Sequence, residues 1–202
     1  MSITPDEIPP VIAAARSFDD AERIATLLSP TWVFILGGST TEIIASSRRL
    51  RELSCDVFID IDMVRGVSRD ADGVHLIKEY AQPRGIISTH ASVISSAKRA
   101  GLDCIQRFFL LDSQAVESGL KQISRGVPDL VEALPGILPE MIEIVNARIS
   151  QPLIVGGLIV SKEQVQAALS AGAAGVSSNS VELLLNFSQS RRKKNALEGG
   201  GE

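Results

Sequence analysis

Aromatic side chains are scarce in this chain. Phe, Tyr and Trp make up 4% of its 202 residues, against 45% hydrophobic residues overall, mostly Ile, Leu, Val and Ala. So few ring faces exclude a base-stacking sheet of the RRM or OB kind. Aliphatic mass of this sort suits parallel strands buried under helices. Cysteine is scarcer still. Cys55 and Cys104 make no C-x-x-C pair, and His75 and His90 stand at no metal-ligand spacing. That excludes a disulfide scaffold and a zinc motif, and it fits two core thiols in a reduced compartment. No apolar run has the length of a membrane span, and the start Met1–Glu7 lacks the basic-then-apolar order of a secretory signal. These absences predict a soluble cytoplasmic domain without a membrane partner.

Net positive charge is also missing. The formal charge is −4, so nothing draws the whole molecule to nucleic acid. Four of the 20 basic residues stand together at Arg191, Arg192, Lys193 and Lys194, just before a Gly-rich end. The predicted division is one folded domain over 1–187 and a basic, then Gly-rich, tail over 188–202.

What is present is alternation. Short apolar runs at 10–16, 32–36, 57–62, 85–89, 103–110, 129–134, 153–155 and 174–177 read as strands. Helical periodicity fills the intervals. Ser39 with Glu42, and Ser161 with Gln164, have capping-box spacing, and Asp112 precedes another helix. Eight strand–helix units predict a compact TIM-like (β/α)8 barrel of parallel strands and short helices. An open doubly wound sheet is the competitor, but no G-x-G-x-x-G turn follows the first strand.

In such a barrel, the ends of the last two strands hold phosphate. Here those ends carry Gly156-Gly157 and Ser177-Ser178-Asn179, and Asn179 with Glu182 has the spacing to start a helix whose N–H groups meet an anion. The expected ligand is a small phosphorylated molecule. Period two puts Phe58, Asp60 and Asp62 on one side of the third strand. Buried carboxylates need partners or a polar mouth, so Asp60 and Asp62 are candidate mouth residues, with Arg16, Ser88, Arg107 and Glu132 at or near other strand ends. Arg107 and Glu132, on consecutive strands, read equally as a structural pair. Candidate nucleic-acid contacts are Arg48, Arg49 and Arg51, Lys98 and Arg99, and Arg191 and Arg192. No catalytic or metal-ligating residue stands out.

Several segments in order resemble the glycerol-3-phosphate-responsive antiterminators, regulators of glycerol uptake operons. They are Asp60-Ile-Asp-Met-Val-Arg-Gly66, Gly85-Ile-Ile-Ser-Thr89, Ile105-Gln-Arg-Phe-Phe-Leu-Leu-Asp112, Glu132-Ala-Leu-Pro-Gly136 and Gly156-Gly-Leu-Ile159. The resemblance implies a barrel that senses glycerol 3-phosphate, binds leader mRNA to carry transcription past a terminator, turns nothing over and uses no cofactor beyond that effector. It also admits a homodimer. The alternative is a barrel enzyme acting on a small sugar or triose phosphate, with Asp60 or Asp62 as base and Glu132 as acid.

Overall fold

The structure is a computed structural model and describes residues 3–27 and 32–187. Eight parallel strands close into a barrel: β1 (Val11–Ala15), β2 (Trp32–Ile35), β3 (Asp56–Asp60), β4 (Gly85–Ser88), β5 (Asp103–Phe109), β6 (Leu130–Leu134), β7 (Leu153–Gly156) and β8 (Gly175–Ser178). Each pairs with its neighbours in sequence, and β8 closes on β1 through Val11↔Val176 and Ile12↔Ser177. Helices α1 (Phe18–Leu27), α2 (Thr40–Glu52), α3 (Ala71–Tyr80), α4 (Ala91–Arg99), α5 (Ser113–Gly126), α6 (Pro139–Asn146) and α7 (Lys162–Ser170) cover the outside, with a final helical segment over 181–187. This is the predicted (β/α)8 fold.

Strand alternation sorts the apolar residues into two cores. Ala13, Val33, Val57, Ile86, Val131 and Val155 face the helices. Ile12, Phe34, Phe58, Ile87, Ile105, Leu130 and Ile154 fill the barrel. The N-terminal end of the barrel is plugged by Ile3 and Ile8, which flank a 3₁₀ turn at Pro5–Glu7. Above it, Trp32 packs on Phe58 with ring centroids 4.8 Å apart. Three of the eight aromatic residues thus sit inside the barrel, where their volume fills the space that aliphatics leave.

Local chemistry explains the element starts. Both predicted capping boxes form, at Ser39/Glu42 and Ser161/Gln164, and Asp112 Oδ1 accepts the Ala115 N–H at 2.7 Å. Two expectations need correction, and one pairing is additional. The third strand stops at Asp60, because the Asp60 carboxylate accepts the Asp62 N–H and turns Ile61–Met63 into a 3₁₀ helix. Asp62 therefore does not continue the Asp60 face. Ser180, not Asn179, precedes the final helix, its Oγ accepting the Leu183 N–H at 3.4 Å. A small parallel pair, Gly38–Ser39 with Val64–Arg65, ties two loops together and has no signature in the sequence.

Candidate functional site

Two residues beyond the apolar filling, the inward-facing positions turn polar. Phe58 is followed by Asp60, Ile105 by Arg107, Leu130 by Glu132 and Gly175 by Ser177, all four buried. Arg107 lies between two carboxylates: it bonds Asp60, and its Nε donates to Glu132 Oε2 at 2.7 Å. Ser177 Oγ donates to the other Glu132 oxygen at 2.7 Å. Register explains the set, since Arg107 pairs with Glu132 across β5 and β6.

The electrostatics follow from that geometry. Burial pushes the Asp60 carboxyl up to about 6, against the pull of Arg107 and with help from the charges of Asp62 and Glu132. Burial opposes the Arg107 charge, yet the carboxylates of Glu132 and Asp60 more than reverse this and hold it protonated. Asp62 behaves differently. Its carboxylate accepts from Ser88 Oγ at 2.8 Å, the Thr89 N–H at 2.6 Å and Thr89 Oγ1 at 2.7 Å, and His90 Nδ1 lies 3.3 Å away. Burial works against the Asp62 charge, but those donors outweigh it and hold the pKa below the usual carboxylate range.

Above the polar layer opens a cavity of about 510 Å³ at the C-terminal ends of the strands. Of the expected site residues, Arg16, Arg107, Glu132, Gly157, Ser177, Ser178 and Asn179 line it. Asp60 stands under it as a partner of Arg107, and Asp62 with Ser88 belongs to the neighbouring cluster. Gly156 is set back. A Cβ there would come within 2.0 Å of Ser177 Oγ, so its missing side chain makes room for Ser177. Gly157 has φ +73°, a left-handed conformation that favours glycine, and it borders the cavity. The Ser178 hydroxyl is engaged inside the fold, with the Ile159 carbonyl and the Ser180 N–H. The side chains that remain for an anion are Arg16 and Asn179, both exposed at the rim. The apolar lining, Leu36, Met63, Phe109, Leu134 and Leu158, was not singled out in the sequence. Three of these continue the strand alternation two residues past Phe34, Arg107 and Glu132, and that period was the available signal.

The basic candidates lie elsewhere. Arg48 and Arg49 end α2, and Lys98 and Arg99 end α4, so all four sit at the barrel end opposite the cavity. Arg48 Nε donates to the Tyr80 carbonyl at 3.1 Å, Lys78 Nζ to that of Ala100, and Lys98 Nζ to that of Val127 at 2.8 Å. Each helix thereby caps the C-terminus of the next. Arg49 pairs with Glu22 and Glu52, and Arg99 reaches Ser96 Oγ at 3.0 Å. Arg191 and Arg192 lie outside the described residues. Among the described residues, no group of three His, Cys, Asp or Glu side chains could hold a metal, and no helix is long and apolar enough to cross a membrane.

Fold and mouth together define a (β/α)8-barrel protein with an open cavity of small-molecule size at the C-terminal face. The sequence narrows that class. Residues 11–184 match the glycerol-3-phosphate responsive antiterminator family, and the chain belongs to it. The chain is 32% identical over 169 residues to the uncharacterized protein YgcP of Escherichia coli, covering 83% of this chain and 87% of that one. The crystal structure of the glycerol uptake operon antiterminator regulatory protein from Listeria monocytogenes superposes with a TM-score of 0.81 at 32% identity, over 84% of this chain and 91% of the other. A glycerol uptake operon antiterminator-related protein from Thermotoga maritima gives 0.77 at 28% identity, over 88% and 98%. Membership in this family makes the chain a regulatory protein, not a catalyst.

Proposed function

We propose that this protein is an antiterminator whose mouth cavity binds glycerol 3-phosphate and whose affinity for a leader mRNA depends on that ligand. The observation that carries the reading is the juxtaposition of two chemistries in one cavity: a hydrogen-bonding floor of Arg107, Glu132 and Ser177, and a rim with Gly157, Asn179 and Arg16. The floor suits the hydroxyls of a polyol. The rim suits a phosphate, with a glycine that lets the backbone approach and an arginine to balance charge. No cofactor is required in this reading.

The RNA surface that responds to ligand is best sought at the same end of the barrel. The segment over 64–70 follows Met63, which lines the cavity, and carries Arg65 and Arg69, and Arg69 donates to the Asp62 carbonyl at 2.7 Å. Ligand contact at Met63 thus biases a loop that holds two cations. The test is a gel shift with the leader transcript, with and without glycerol 3-phosphate. Tighter binding with ligand is expected. In the Arg65→Ala/Arg69→Ala variant RNA binding weakens at least about tenfold and its salt dependence becomes shallower, while ligand affinity is retained. Equal RNA affinity in the two conditions would end the switch reading.

A further inference from the structure

Seven of the ten exposed large hydrophobic side chains found among the described residues stand at the C-terminal mouth. Six of these, Phe109, Leu111, Ile137, Leu138, Leu158 and Val160, lie at or just past the ends of β5, β6 and β7. Those strands are consecutive neighbours, so the six form one crescent along one side of the mouth. Leu111 is 78% exposed, Val160 73% and Leu158 67%. Leu158 is held at φ +63°, a left-handed conformation that branched side chains avoid. A strained backbone presenting an apolar side chain to water is unfavourable twice over in an isolated chain.

Charge narrows the occupant. From Leu110 to Gln114, Pro135 to Glu140 and Gly157 to Glu163, the single cation is Lys162, beside the acids Asp112, Glu140 and Glu163. A phosphate backbone finds almost nothing to hold there, so the crescent is not a nucleic-acid surface. The six side chains expose on the order of 600 Å², most of the ~800 Å² that each partner contributes to a standard interface. A two-fold axis sets the apolar side chains of one crescent against those of the other. We propose that the crescent is the contact face of a homodimer, with the mouths of the two barrels side by side. Phe109 and Leu158 belong to both crescent and cavity lining, so the partner reaches the cavity edge. The proposal does not depend on what fills the cavity.

The test is sedimentation equilibrium of the full chain without ligand, up to about 100 µM, a range that captures micromolar association. The wild type is expected to dimerise. Leu111→Lys/Val160→Lys should raise the dissociation constant at least about 30-fold with an unchanged melting temperature, because both positions face water. Tyr80→Lys, at the opposite end of the barrel, should leave association unchanged. A monomeric wild type, a dimer that survives the double lysine variant, or a dimer lost in Tyr80→Lys would overturn the assignment. So would a crescent protected from labelling only when leader RNA is added.

Discussion

At the scale of single residues, the site rests on one buried arginine shared by two carboxylates. Asp60 carries the cost of that arrangement, with its pKa raised by burial from 3.8 to about 6. A carboxyl whose folded pKa is raised stabilises the fold below its unfolded pKa and loses that contribution as pH rises through the folded one. Two units correspond to about 3 kcal/mol. Wild-type stability should therefore fall by about that amount relative to Asp60→Asn between pH 4 and pH 7, measured by urea unfolding of both proteins at each pH. Parallel pH profiles would mean that Asp60 is not desolvated. Removing the cation works the other way. Arg107→Met leaves two buried carboxylates unpaired and should cost about 3–5 kcal/mol at pH 7.

Gly156 gives a second residue-scale prediction. Gly156→Ala drives a methyl into Ser177 Oγ and should destabilise by about 1–3 kcal/mol. Part of that cost should vanish in a Ser177→Ala background, and strict additivity of the two changes would show that the contact is not the cause.

At the scale of elements, helix starts and helix ends are built by different means. The starts are local: Ser39 with Glu42, and Ser161 with Gln164, close their boxes within three residues, and both were legible as spacing alone. The ends are built across elements, by side chains of the preceding helix. Lys98 reaches the Val127 carbonyl and Asp129, and nothing in the residues around Val127 announces that partner. Lys98→Met should cost about 1 kcal/mol in urea unfolding, since it leaves a helix C-terminal carbonyl uncapped. The same division explains the errors. The end of β3 was misread because the Asp60 side chain overrides strand periodicity, and the reason for Gly156 lies on the next strand. Strand order, by contrast, made an Arg107–Glu132 pair one of two open readings, because consecutive strands of a parallel barrel are neighbours, and the pair forms.

At the scale of the whole molecule, the barrel separates its tasks between two ends. The N-terminal end is closed by Ile3 and Ile8, and Arg48, Lys78 and Lys98 staple the C-termini of α3, α4 and α5. The C-terminal end carries the cavity, the loop with Arg65 and Arg69, and the apolar crescent. The glycine and serine clusters that mark the mouth in the sequence do lie there, although Ser177 and Ser178 turn their hydroxyls to the fold. Strand order alone placed these clusters at the mouth of the barrel. Which hydroxyls are used up inside the fold was not legible, because that depends on contacts between strands far apart in the chain.

The most direct measurement of the central claim is a calorimetric titration of glycerol 3-phosphate into the wild type and Gly157→Asp. A carboxylate at the rim repels the phosphate and fills the approach that glycine leaves open. The account predicts one site per chain in the wild type and affinity weakened at least about 100-fold in the variant, whose melting temperature stays within a few degrees. Equal affinity in a folded Gly157→Asp protein would contradict it.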